Sequence, residues 1–192
     1  MAGFDARAYA QKIANSKPAG SGNPIRDGDF LFAIKNLSVK PSDKGSQTWF
    51  IAEFLTIKSA PVDVAPDMIT TDKPIVAPNA PGSTASMVVD LNSQMGPANV
   101  KEIAAAVWGK KHSDLTEDDF VKFLSENVDL PGDATGKAQP LMGRVMSCKT
   151  TRKLVQSGAN KGKPAVRLGW GHVEQSPEEV AAIRGMMIPK SQ

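Results

Sequence analysis

The residues between positions 134 and 173 carry the excess positive charge of the chain. This window holds eight Lys or Arg residues and no Asp or Glu, whereas the rest of the chain carries fifteen basic and twenty acidic residues. The net charge of +3 therefore conceals a strongly basic segment attached to an acidic body. Because a cluster of one sign attracts ligands of the opposite sign, this asymmetry favours a polyanionic partner.

Nucleic-acid binding is the chemistry that these residue types favour. A single strand needs cations for its phosphates and aromatic faces for its unstacked bases. Trp49 and Phe50 are adjacent on a predicted strand, so one ring must face away from the interior, and that ring is the predicted stacking platform. Lys161 and Lys163 are expected on a mobile loop that closes over the bound single strand of nucleic acid. The full set of predicted contacts is Lys40, Lys44, Trp49, Phe50, Arg144, Lys149, Arg152, Lys153, Lys161, Lys163 and Arg167.

Catalysis is not expected, and neither a metal nor another cofactor is predicted. His112 and His172 are far apart in sequence, and the only cysteine, Cys148, has the apolar neighbours of a core residue. The chain contains no phosphate-binding Gly-rich motif and no nucleophile elbow. The acidic residues after Thr116 are explained by a helix N-terminus, where a cap and an acidic first turn are favourable.

Hydrophobic patterns predict the elements that position these residues. Strands are predicted over 30–39, 48–58, 82–92, 141–154 and 165–173, and the second is central because it is apolar on nearly both faces. Helices are predicted over 98–108, after Thr116, and after the cap formed by Ser176 and Glu179. Residues 59–81 hold five of the fourteen prolines and predict a long irregular loop.

Composition predicts a soluble, cytoplasmic protein. The chain has 192 residues, of which 41% are hydrophobic and 22% charged, and these values are typical of a globular domain. A single cysteine fits a reducing compartment, and no apolar run reaches the roughly 18–20 residues of a membrane span. No membrane association is expected.

The order of the predicted elements favours one fold class. Three strands, a helix, a second short helix and two more strands form a mainly β, α+β protein, and this is the order of an OB-fold, a five-stranded Greek-key barrel with its helix between strands three and four. A mixed α+β sheet is the alternative. The predicted division is an N-terminal arm and linker (1–27), an OB-like domain with its Pro-rich loop (28–173), and a C-terminal helix and tail (174–192).

Three features carry a resemblance to a known family. Gly28-Asp29-Phe30 opens the first strand, Asn99-Val100-Lys101 through Trp108-Gly109 form the helix after strand three, and Asn160 to Pro164 precede a Trp-bearing strand. In this layout, over about residues 28–173, the sequence resembles phage-encoded OB-fold single-stranded DNA-binding proteins of replication and recombination. The resemblance implies a protein of the host cytoplasm that coats single-stranded DNA with little sequence preference and contacts replication or recombination proteins. Many single-strand binders end in an acidic tail, whereas residues 188–192 here are basic.

Two alternatives remain open at this stage. One is a phage virion or assembly protein whose β-domain binds protein neighbours through its arms. The other is a binder of double-stranded DNA or RNA, because charge alone does not distinguish these polyanions. A homo-oligomer is compatible with each of them.

Overall fold

The computed structural model describes residues 23–42, 47–93, 95–130, 139–158 and 160–187. Within them the strands are β1 (Asp29–Pro41), β2 (Thr48–Ala60), β3 (Thr84–Asp90), β4 (Val145–Leu154) and β5 (Pro164–His172). The helices are α1 (Gly96–Trp108), α2 (Glu117–Asn127) and α3 (Pro177–Met187), and short 3-10 turns lie at Pro66–Met68 and His112–Asp114. The predicted order of strands and helices is confirmed. The predicted contact Lys44 and most of the predicted N-terminal arm lie outside the described residues.

The five strands form one antiparallel sheet in the order β3-β2-β1-β4-β5. β2 lies inside the sheet, as its apolar faces predict. Because β1 pairs with both β2 and β4, the first four strands have the spatial order 4-1-2-3, which defines a Greek key. The described part of the protein is therefore α+β, with five antiparallel strands.

The predicted barrel is not closed. β3 and β5 are the two edge strands, and no ladder joins them in the described part of the sheet. The outer edge of β3 is instead occupied by the segment before β1, since the Ser86 amide donates to the Asn23 carbonyl over 2.8 Å. The Asn23 side chain also donates to the Thr84 carbonyl over 3.1 Å. These bonds use the edge groups of β3 with which β5 would have to pair.

Aromatic rings from β1 and β2 form the centre of the core. Phe30 and Phe32 stack with ring centroids 4.6 Å apart, and Phe32 stacks on Phe54 over 5.4 Å. α1 adds to the same hydrophobic core the apolar stripe that its spacing predicts, including the fully buried Ile103. Burial of this stripe stabilises the helix, which has no side-chain cap of its own.

The termini of the helices follow the predicted capping signals. The Thr116 side chain accepts from the Asp119 amide, and the Asp119 carboxylate accepts from the Thr116 amide, so α2 begins with a capping box. Ser176 and Glu179 make the same reciprocal pair before α3. α1 ends at Trp108 and is capped by Gly109, whose φ of 63° is left-handed.

α3 packs on the turn that precedes β4. Gly143 adopts a φ of +89°, and a Cβ atom there would lie 2.5 Å from the Val180 carbonyl oxygen, so this position requires glycine. Arg184 donates to the carbonyls of Met142 and Pro140 over 3.0 and 2.8 Å. The predicted strand 141–154 therefore begins only at residue 145, because this turn receives the helix. None of the described helices combines the length and the apolar character that crossing a membrane requires.

Candidate nucleic-acid interface

A groove of about 720 Å³ lies between the two edges of the sheet. β3 lines it with Met87 and Val89, and β5 lines it with Val166, Leu168 and Trp170. The N-terminal half of α1 and the outer face of β4 complete it. The groove exists because β3 and β5 do not pair.

The cations of the groove lie on the outer face of the β4–β5 hairpin. Residues two apart on a strand share a face, so Lys149 and Lys153 project on the same side as Thr151. Thr151 is paired across the ladder with Arg167, which places Arg167 between the two lysines on the neighbouring strand. All three cations line the groove and are exposed. Gly169 and Ala165 lie opposite the two lysines, so no bulky side chain covers them from β5.

Trp170 supplies the aromatic surface of the groove. Its ring packs against Phe54 and Phe32 with centroid distances of 5.1 and 6.3 Å, and the residue is half-buried. Its Nε1 atom is buried and has no hydrogen-bond partner within the described ranges, so the exposed part of the residue is not its N–H group. The sequence places Trp170 with Val166 and Leu168 on one face of β5. That face would be core in a closed barrel, and it lines the groove because the sheet is open.

Arg152 is not available to a phosphate. Its guanidinium donates to both carboxylate oxygens of Asp27, over 3.0 and 2.6 Å, and the two side chains are only 4% and 7% exposed. It also donates to the carbonyls of Met68, Lys73 and Pro74 in the Pro-rich loop, over 3.0, 2.5 and 2.8 Å. The hydrogen bonds to Asp27 raise the pKa of Arg152 above its usual value. The structure thus corrects the predicted phosphate contact: Arg152 points inward and fastens the Pro-rich loop to β4.

The two predicted stacking rings differ in their surroundings. Phe50 is 0% exposed and belongs to the core, so no base can stack on it, and its inclusion among the contacts is wrong. Trp49 is half-buried and is paired with Lys40 on β1 and with Asp90 on β3. Neither Trp49 nor Lys40 lines the groove.

The other predicted cations lie at the two ends of β4. Arg144 is half-buried before β4 and lines a small pocket beneath α3, together with Arg184. Lys161 and Lys163 are exposed in the turn between β4 and β5. The structure therefore unites Lys149, Lys153 and Arg167, leaves Lys161 and Lys163 beyond the hairpin end, and places Arg144 at a different surface.

The helical wall of the groove was not predicted. Asn99 and Glu102 lie three residues apart on α1 and therefore share a face, and both line the groove, as does His112. Nothing in their local sequence distinguishes them from a solvated helix surface. Their role depends on where α1 lies relative to β5.

Two side chains with potential reactivity, those of Cys148 and His172, are held by their surroundings. Burial raises the pKa of the Cys148 thiol well above its usual value, and the carboxylates of Asp29 and Glu102 act in the same direction. A thiol held protonated in this way is a poor nucleophile. His172 bonds through Nδ1 to the Ala106 carbonyl over 2.8 Å and ties β5 to α1, as expected of a satisfied strand-end residue. No cluster of three or more metal-ligating side chains is present in the described segments.

Comparison with models of known protein families and with curated proteins found no match to this sequence. The functional argument therefore rests on the geometry and charge of the groove.

Proposed function

We propose that the protein binds single-stranded DNA in the groove between β3 and β5, coating the strand with little sequence preference. The observation that carries this proposal is a single groove lined both by Lys149, Lys153 and Arg167 on one face of the β4–β5 hairpin and by Trp170 on the opposite face of β5, which is an edge strand. Single strands require both components, cations for the phosphates and a flat apolar surface for exposed bases. A duplex keeps its base faces inside the stack, so it could use only the cations.

We also infer that the sheet is an OB-like fold that is open between strands three and five. The Greek-key order of the first four strands and the helices between β3 and β4 support this inference. In this arrangement the opening of the sheet creates the binding groove. The proposed fold and the proposed function thus depend on the same feature.

The spacing of the cations suggests the length of strand that is bound. Lys149 and Lys153 are four residues apart on β4, so they lie about 13 Å apart along this β-strand. A stacked single strand advances about 3.4 Å per nucleotide, so this distance spans roughly four nucleotides. Lys161 and Lys163 would extend the cationic track beyond the hairpin.

Fluorescence anisotropy with a labelled single-stranded oligonucleotide tests the proposal. We expect tight binding that weakens steeply with salt and that matched duplex does not displace, with RNA of the same sequence as a further competitor. The double variant Lys149→Gln/Lys153→Gln should reduce the slope of log K against log salt by about 1.4, since each lost contact to a single strand removes about 0.7. The control variant Lys58→Gln/Lys122→Gln removes the same charge from exposed positions outside the groove. Absence of binding at low salt would exclude the proposed function.

The Pro-rich loop favours a protein partner, and an assembly protein is therefore the second candidate. Ile69, Ile75 and Val76 are 38%, 49% and 43% exposed on a loop that Arg152 holds in place. A loop restrained in this way loses little entropy when it docks. Sedimentation velocity without DNA distinguishes the candidates: an assembly protein should self-associate, and the change Ile75→Ser/Val76→Ser should abolish that association.

A further inference from the structure

The helical wall of the groove carries a carboxylate. This group repels phosphate, so it is not expected on a surface that binds only phosphates. Glu102 lines the same groove as Lys149, Lys153 and Arg167, and it is the only acidic residue among the described residues that do so. It is half-buried, and neither a hydrogen bond nor an ion pair to its carboxylate is found in the described part of the chain.

This carboxylate would orient the single strand whose binding is proposed above. A phosphate next to Glu102 would meet a like charge in a partly desolvated groove, which is unfavourable. We therefore expect the phosphates to follow the cations of the β4–β5 hairpin and the base edges to face α1. An acidic protein segment would present carboxylates to Glu102 and would be repelled.

The helical wall presents hydrogen-bond acceptors to those base edges. The Asn99 side chain shares a face of α1 with Glu102, and its Nδ2 atom donates to the Met95 carbonyl over 2.7 Å. That bond uses one of the two amide N–H donors, so Asn99 still offers a second N–H and its Oδ1 acceptor, whereas the Glu102 carboxylate has only acceptors. A base edge that pairs with Glu102 must bring N–H donors, and the Asn99 amide beside it can accept or donate. Guanine is the base with two neighbouring donor groups, N1–H and N2–H₂, on its Watson–Crick edge, whereas thymine offers one N–H between two carbonyls.

We propose that Glu102, with Asn99 beside it, gives the groove a preference for guanine within the strands that it binds. This inference rests on the proposed binding of single-stranded DNA. It adds a local base preference to a contact that the cations make with any sequence. Charge-assisted hydrogen bonds from two N–H groups to one carboxylate supply the discrimination.

A comparison of guanine with inosine tests the inference, because inosine lacks only the N2 amino group. Three strands of equal length are measured by anisotropy: a thymidine strand with isolated guanines, the same strand with inosines, and thymidine alone. We expect the guanine strand to bind about tenfold more tightly than the inosine strand, within the range for one well-placed base contact. Glu102→Gln should bring this ratio close to unity, because the amide offers one acceptor and no charge.

The control variant is Glu126→Gln, which removes the same charge from an exposed position on α2 that does not line the groove. It should keep the guanine-to-inosine ratio of the unaltered protein. Equal binding of all three strands by the unaltered protein would overturn the guanine preference and leave single-strand binding intact. Failure of every strand to bind would overturn the proposed function itself. If Glu102→Gln fails to fold, the guanine-to-inosine ratio still tests the inference. It can be measured in the unaltered protein, where a ratio near unity would contradict the guanine preference, and in Asn99→Ala, where the ratio should fall.

Discussion

Replacing Arg152 with methionine separates a structural role from a DNA contact. The side chain lies in the basic segment that the sequence assigns to phosphate binding, yet its guanidinium is directed at Asp27 and at the Pro-rich loop. Methionine keeps much of the length and apolar surface of the arginine stem and removes the charge. The variant should therefore lose stability and keep the affinity for DNA that is proposed above.

The magnitude follows from the burial of the ion pair. Arg152→Met leaves the Asp27 carboxylate, which is 7% exposed, without its cation. Breaking a buried pair in this way costs about 3–5 kcal/mol of unfolding free energy. For a chain of this size each kcal/mol corresponds to roughly 2–4 °C, so the melting temperature should fall by about 6–20 °C. The carbonyls of Met68 and Pro74 belong to an exposed loop and can turn to water, so they add little.

Urea denaturation and a salt series of anisotropy titrations measure the two effects. The double variant Asp27→Leu/Arg152→Met removes the stranded carboxylate and should recover most of the lost stability, because an apolar pair can replace a buried ion pair. The salt slope of Arg152→Met, measured well below its melting temperature, should equal that of the unaltered protein. A loss of less than 1 kcal/mol combined with a slope reduced by about 0.7 would refute the structural assignment.

Three further predictions concern buried or capping groups. Thr56 is 1% exposed and its hydroxyl has no partner in the described structure, so Thr56→Val should raise the unfolding free energy by about 1 kcal/mol in urea titrations; a loss would contradict this. Cys148 is 0% exposed, so a thiol reagent should label it only as the protein unfolds, and rapid labelling of native protein would place the residue outside the core. Hydrogen bonds from Thr116 and Lys110 lower the pKa of Asp119 from 3.8 to about 2. The ionised Asp119 carboxylate should stabilise the fold fully above pH 3.8, and this contribution should be lost as the pH falls towards 2. Asp119→Asn should remove this pH dependence from the midpoints of urea unfolding.

Local patterns predicted most of the secondary structure. The apolar stripe of α1, the caps at Thr116 and Ser176 and the apolar faces of β2 are short-range features, and each is confirmed. The main error in a strand boundary lies at residues 141–144, where packing of α3 on Gly143 overrides a strand-like pattern. This contact joins residues some forty positions apart, so the pattern of a short stretch of sequence cannot predict it.

Prediction of the site was less complete. The basic segment was identified from composition, and three of its cations do line one groove. Composition could not distinguish Lys153, which is exposed, from Arg152, which is buried against Asp27. Glu102 was missed altogether, since a glutamate on a helix is ordinarily a solvated residue.

The sequence by itself determined the order of strands and helices, their caps and the concentration of positive charge near the C-terminus. These properties depend on neighbouring residues, whose spacing is covalently fixed. Only the tertiary structure decided that the sheet stays open between β3 and β5, that Trp170 therefore lines a groove, and that Asp27 withdraws Arg152 from the surface. Each of these outcomes depends on groups that are distant in sequence, such as Asp27 and Arg152, and that meet in space. No local sequence pattern specifies how far apart such residues lie in the folded protein.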